Sequence, residues 1–363
     1  MISWMLTLGL SLILQSSPQF KIDEIYKGSD VIWGLCFLSD QEVLFTEKQG
    51  RLYRLDVKTK KLSLILGLPE TQPHGQGGLM DVQVHPNFSK NSLIYLTYSL
   101  QNGSESWTTR LARGRLEGAS LKNVEVLFTA NADSSKGEHF GSRLAFDRKG
   151  HVFVSVGDRG QRELAQSLAH HQGKIIRLRE DGGVPKDNPF VNLKSARPEI
   201  WSYGHRNPQG LVWKADTNEL WVNEHGPRGG DEINLVSPGK NYGWPVVTFG
   251  REYWGPKIGE GTSKTGMENP IHQFTPSIAP SSLMIYSGKL FKDWKGNFFS
   301  TALAMRHLNR VVMTSGKSAQ EDRWLVDLKE RFRHIAESAD GSIYLTTDSG
   351  KILRLSAPSA LKP

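Results

Sequence analysis

The chain reads as an all-β protein, a six-bladed β-propeller of four-stranded antiparallel blades in a single domain, on three observations. First, three distant stretches resemble one another: LSDQEVLFTEKQGRLYRLD (Leu38 to Asp56), FDRKGHVFVSVGD continued by GKIIRL (Phe146 to Leu178), and SADGSIYLTTDSGKILRLS (Ser338 to Ser356). Each passes from an acidic turn into an alternating strand and ends in Gly-Arg/Lys-Leu/Ile-x-Arg-Leu, a hairpin signature. Second, the glycine landmarks Gly50, Gly173 and Gly350 lie 123 and 177 residues apart. Those gaps are close to two and three units of about 60 residues, and repeats of four-stranded sheets arranged radially make a propeller. Third, amphipathic helix periodicity is scarce, while 36 Gly and 17 Pro suit many turns.

Taken in order, the chain begins with an apolar run from Trp4 to Leu14, followed by Gln15, Ser16 and Ser17. The run is too short to span a bilayer and resembles the apolar region of a signal peptide, although no Lys or Arg precedes it. Residues 1–17 are therefore expected to be a signal peptide, residues 18–363 the mature propeller, and the protein periplasmic or secreted. A buried first strand is the alternative. Cys36 is the single cysteine, which excludes an intrachain disulfide and a cysteine-based zinc site, and reads as a small buried hydrophobe on a strand. Partial echoes of the repeat occur at TNELWVNEHG (Thr217 to Gly226) and SGKLFKDWKGNFFST (Ser287 to Thr301). RELAQSLAHH (Arg162 to His171) reads as a short helical insertion, and Tyr253 to Ser281 as an irregular loop. The net charge of +8 is scattered, without a run of five basic residues, so a nucleic-acid arm is not expected. No other stretch is apolar enough for a membrane span.

Function must lie in the polar loops. Three clusters stand out: GEHFGSRLAF (Gly137 to Phe146), GHRNPQG (Gly204 to Gly210) and NEHGPRGGDEIN (Asn223 to Asn234), each beside strand-like segments. Serine-hydrolase elbows, P-loops, H-E-x-x-H zinc motifs and dinucleotide-binding glycine motifs are absent. His139 is a candidate general base, because a neutral imidazole can take a hydroxyl proton near neutral pH. Asp158 could orient it and stabilise its charged form. A structural histidine is the alternative. Arg331 and Arg333 project to one side if RFR is extended, with surface arginines on an edge strand as the alternative.

Seven phrases in order carry a resemblance: GQGGLMDVQVHPNF (Gly75 to Phe88), EHFGSRLAFD (Glu138 to Asp147), VSVGDRGQRELAQSL (Val154 to Leu168), HQGKIIRL (His171 to Leu178), PEIWSYGHRNPQGL (Pro198 to Leu211), WVNEHGPRGGDEINLVSPGKNYGWP (Trp221 to Pro245) and RFRHIAESADGSIYLTTD (Arg331 to Asp348). Together they resemble the soluble glucose/sorbosone dehydrogenase family, more closely its aldose sugar dehydrogenase branch, from about Lys27 to Leu355. The resemblance implies a six-bladed propeller holding pyrroloquinoline quinone (PQQ) and calcium. It also implies oxidation of aldose sugars to lactones, with His139 as base, hydride passing to PQQ, and an external acceptor taking the electrons. Gln76, Arg206, Asn207, Tyr253, Ala302, Leu303, Ala304, Arg331, Phe332 and Arg333 are the cofactor contacts implied. By the same resemblance, Gly226 and Pro227 present carbonyls to calcium at the cofactor, and Glu232 with the Tyr242 carbonyl makes a further calcium site. Ala304 departs from the pattern, since many relatives have lysine there, and Arg306 is the nearest cation that could replace it.

Trp201, Tyr203, Trp221, Trp244 and Trp254 bracket these loops but are not assigned to sugar binding. His85, His170, His171, His205 and His225 have no metal-ligand spacing, and His171 and His225 read as loop supports. Two other functions stay open on the same architecture: a calcium-dependent lactonase that needs no quinone, and a propeller that binds carbohydrate or protein without catalysis. The protein is expected to be a monomer or homodimer.

Overall fold

Apolar residues on both faces make each repeat a pleated sheet packed between the blades before and after it, and six such sheets close a ring. The computed structural model describes residues 20–358; the expected signal peptide lies outside them. Blade 1 comprises Ile32–Phe37, Glu42–Glu47, Arg51–Asp56 and Leu62–Ile65. Blade 2 comprises Leu79–Val84, Leu93–Gln101, Trp107–Glu117 and Ser120–Thr129. Blade 3 comprises Leu144–Phe146, His151–Val156, Lys174–Arg179 and Ile200–Tyr203, and blade 4 Asn207–Lys214, Glu219–His225, Asp231–Val236 and His272–Phe274. Blade 5 comprises Pro280–Ile285, Phe298–Ala302, Leu308–Thr314 and Lys317–Trp324. In blade 6, Phe332–Glu337, Ile343–Thr347 and Lys351–Ser356 are completed by Lys21–Lys27 from the other end of the chain, paired antiparallel from Lys21↔Ser356 to Lys27↔Lys351. This strand locks the ring, because without it the last blade would lack its outer strand and leave Lys351–Ser356 as an unpaired edge.

The fold class and blade count agree with the sequence reading. The three similar stretches are the second and third strands of blades 1, 3 and 6, which explains glycine gaps of two and three units. Cys36 is buried within blade 1. Two expectations are corrected. The helical insertion shrinks to a 3-10 turn over Arg162–Gln166. The segment from Tyr253 to Ser281 is not all loop: His272–Phe274 is the outer strand of blade 4, and blade 5 begins at Pro280. A three-residue strand flanked by Pro270 and Pro276 is too short to show alternation. No helix among the described residues is long and apolar enough to cross a membrane.

The first strands surround the axis, and the axis is plugged by Arg143, which is 2% exposed. Its Nη1 donates to Asp81 Oδ1 (2.9 Å) in blade 2 and to His334 Nδ1 (2.6 Å) in blade 6. Nη2 donates to the Ser281 carbonyl (2.8 Å) of blade 5 and Nε to the Gln209 carbonyl (2.9 Å) of blade 4. The guanidinium carbon sits 4.2 Å from the Trp33 ring centroid in blade 1. One side chain thus ties blade 3 to each of the other five. Burial pushes the Asp81 carboxyl up and the guanidinium down, each against the stabilising field of the other. The His334 imidazole is held well below its usual value by burial and by Arg143, so it stays neutral and offers Nδ1 as an acceptor.

Candidate functional site

His139 sits in the loop that enters blade 3, with φ of +53°, a left-handed conformation that costs a non-glycine residue roughly 1–3 kcal/mol. Close backbone contacts explain the glycines around it. A Cβ on Gly157 would lie 2.1 Å from the His139 carbonyl, and one on Gly75 would lie 2.1 Å from that of Gly137. The Gln76 side chain accepts from the His139 amide (3.0 Å).

The imidazole is held by a carboxylate, as the sequence reading expects. His139 Nδ1 lies 2.6 Å from Asp158 Oδ1. The same oxygen accepts from the Gly160 amide (2.8 Å), while Oδ2 accepts from the Trp244 indole (2.8 Å). Burial pushes the Asp158 carboxyl up, but the hydrogen bond and charge of His139, aided by Arg206, outweigh it and hold it below the ordinary carboxylate range. An ionised Asp158 makes Nδ1 the protonated nitrogen and leaves Nε2 with the lone pair, the arrangement a general base needs.

Linked to this pair through Phe140 and Gln76, although neither His139 nor Asp158 lines it, a cavity of about 130 Å³ is lined by Trp33, Met80, Phe140, Gln76, Gln209, His225, Leu303, Ala304, Arg331 and Arg333, among others. Its lining contains no carboxylate. Arg331 and Arg333 reach it together, as alternation in an extended strand requires, and both donate to Asp348 (2.8 Å from each Nε). Phe332 between them turns its ring into the core of blade 6. Leu303 and Ala304 border the cavity with their amides committed to the carbonyls of Ala279 and Ile278, and Ala302 is buried in the strand behind. Arg306 is exposed on the next turn, with φ of +51°. Asn207 accepts at Oδ1 from the Gly141 amide (3.2 Å), and its buried Nδ2 has no partner. Tyr253 is not brought here: it is 67% exposed on the hairpin closed by the Arg251–Lys257 bridge.

His225 joins this cavity to a smaller one of about 10 Å³, room for one water or small ion. Its imidazole is held well below the usual value by burial, then by the nearby charges of Arg206, His139 and Arg333. The smaller cavity is lined by Arg206, Glu224, Gly226, Glu232, Tyr242 and Trp244. Glu232 is pushed up to about 8 by burial and by the neighbouring Glu224 charge, and Asp231 up to about 6 by burial. Glu224 is already engaged by His205 Nδ1 (2.8 Å) and the Arg206 amide (2.8 Å). A buried carboxylate raised by another is chemistry that an added cation would relieve. The Gly226 carbonyl accepts from Arg206 Nη1 (2.8 Å) and that of Pro227 from the Ser277 hydroxyl (2.9 Å). Among the described residues, no group of three or more His, Cys, Asp or Glu side chains is placed to hold a metal.

Several residues of this site escaped sequence reasoning. Trp244 supplies the donor to Asp158 Oδ2, and Trp33, Met80, Phe140, Gln209 and His225 shape the cavity. Met80, Phe140, Gln209, His225 and Trp244 stood within quoted phrases, but none was given a role in the site, and Trp33 stood outside them all.

Comparison with known proteins identifies the family. The model of the glucose/sorbosone dehydrogenase family matches residues 29–354. The chain is 38% identical to the aldose sugar dehydrogenase YliI of Escherichia coli, over 96% of each protein. It is 25% identical to quinoprotein glucose dehydrogenase B of Acinetobacter calcoaceticus, over 90% of this chain and 84% of that one. The crystal structure of the soluble aldose sugar dehydrogenase from E. coli in the apo-form superposes with a TM-score of 0.90 at 38% identity, covering 93% of this chain and all of that one. With nearly its whole length matched by the family model and by relatives of the same architecture, this chain belongs to the glucose/sorbosone dehydrogenase family.

Proposed function

We propose that the protein is a periplasmic or secreted aldose sugar dehydrogenase that uses PQQ and calcium to oxidise the anomeric hydroxyl to a lactone. The observation that carries this reading is the 2.6 Å contact of His139 with Asp158 beside a carboxylate-free cavity bordered by Arg331 and Arg333. When bound, PQQ supplies an acceptor for the hydride leaving the anomeric carbon, and calcium a Lewis acid beside it.

The protein's own residues do the rest. His139 Nε2 takes the hydroxyl proton as the anomeric C–H bond breaks, and Asp158 stabilises the imidazolium that forms. Arg331, Arg333 and Arg206 suit the carboxylates of a flat trianion, and the unpartnered Asn207 Nδ2 is a spare donor for it. The Gly226 and Pro227 carbonyls would offer oxygens to calcium at the cofactor, and Glu232 with the Tyr242 carbonyl to a further calcium ion. An external acceptor would take up the two electrons released by the sugar.

Protein supplied with PQQ and calcium is expected to reduce a redox dye only when an aldose is added, and the absorption spectrum of the mixture should change on adding glucose. Without sugar-dependent dye reduction, the dehydrogenase reading fails. Calcium is expected to raise the melting temperature of the cofactor-free protein, because a ligand bound only by the folded state stabilises it. Glu232→Gln should lose part of that increase; an undiminished shift would remove Glu232 from the further calcium site.

A further inference from the structure

Arg159 follows Asp158, and its side chain is completely buried. Its hydrogen bonds go to carbonyls rather than to a carboxylate. Nη1 donates to the Glu138 carbonyl, and Nη2 to those of Lys136 (3.1 Å) and Trp107 (3.1 Å). The guanidinium carbon lies 3.4 Å from the Phe140 ring centroid. These contacts bracket His139, with Glu138 on one side and Phe140 on the other. The grip is reciprocal, since Ser134 Oγ donates to the Arg159 carbonyl (2.9 Å) and Lys136 Nζ to that of Gly160 (2.6 Å).

Removing a guanidinium from water is costly, so a fully buried one bound to carbonyls needs a local reason. The loop it holds supplies one. His139 has φ of +53° and Arg159 itself +57°, so two left-handed backbones face each other across the imidazole–carboxylate contact. Such conformations persist only where the surroundings over-determine them. Asp158 fixes the ring, and Arg159 fixes the backbone from which the ring projects.

We propose that Arg159 is a positioning residue for the oxidation, clamping residues 136–140 so that the His139 imidazole is held at its 2.6 Å contact with Asp158 and aimed at the substrate hydroxyl. The role rests on the dehydrogenase reading for its catalytic consequence, but the clamp is measurable without cofactor or sugar. Burial lowers the guanidinium to about 10, with Asp158, Glu138 and Asp133 opposing, so the clamp stays charged at neutral pH.

The test compares Arg159→Met, Arg159→Lys and, as a control, Arg177→Met. Arg177 is another buried guanidinium, stacked on Trp201 (4.7 Å) and outside both cavities. In cofactor-free protein, the proton shared by His139 and Asp158 is followed by NMR, its signal identified by its loss in His139→Ala. Arg159→Met is expected to shift or broaden that signal and, with PQQ and calcium bound, to lower kcat about 100-fold, the effect of misplacing a reacting group by about 1 Å. The KM for sugar and the affinity for PQQ should be unchanged. Arg159→Lys, which keeps a charged donor, should fall between wild type and Arg159→Met, and it carries the test if the methionine variant does not fold. Arg177→Met should lower the melting temperature and leave signal and kcat intact. If the Arg159 variants behave like that control, Arg159 is only a structural residue and the proposal is overturned. An intact NMR effect in a protein that oxidises no sugar would instead sink the dehydrogenase reading and leave the clamp standing.

Discussion

Replacing His139 by alanine is expected to lower sugar turnover by about two to four orders of magnitude, the usual loss for a general base, while PQQ still binds. Two features separate this expectation from that for an ordinary loop histidine. The imidazole meets an ionised carboxylate at 2.6 Å, which orients the ring and stabilises its charged form. The groups suited to the cofactor are separate residues: Arg331 and Arg333 are anchored on Asp348, and Asn207 on Gly141. Alanine therefore removes the proton acceptor and leaves those groups in place. Steady-state dye reduction and a PQQ titration on the same preparation check both halves. Undiminished turnover would deny His139 its role, and lost PQQ binding would make it a cofactor contact.

The second large effect is on stability. Arg143→Met is expected to destabilise the fold by about 3–5 kcal/mol, because it leaves the Asp81 carboxylate buried without its counter-charge. It also removes donors from the Ser281 and Gln209 carbonyls and from His334, which belong to three different blades. A shift in the urea midpoint measures the loss. Adding Asp81→Asn to Arg143→Met should recover part of it, since the buried charge then disappears. A loss below about 1 kcal/mol, the range of an exposed ion pair, would mean that the axis is held by sheet packing alone.

Neither the plug nor the clamp was legible in the sequence, although Arg143 and Arg159 both stood inside quoted phrases. A guanidinium's partners are scattered over the chain, here from Asp81 to His334, and their main-chain carbonyls carry no residue signature. The propeller was legible for the opposite reason, since hairpin strands are local and their alternation survives in degenerate repeats. The short outer strand of blade 4 was hidden because three residues show no period. Exposure separated Tyr253 from the cavity, and core packing turned Phe332 away, while Arg331 and Arg333 kept the shared side that strand geometry requires.

By itself, the sequence determined the all-β class and the number of blades, and it singled out His139, Asp158, Arg331 and Arg333 as a candidate base, its candidate carboxylate partner and a pair of guanidiniums. These follow from short-range periodicity and from which side chains can carry charge or a proton. Only the tertiary structure decided that Trp244 holds Asp158, that His225 joins two cavities, that Glu224 raises Glu232, and that Arg159 and Arg143 brace the site and the axis. Those are contacts between residues distant in the chain, created when six blades close around one axis and bring their loops to a common face.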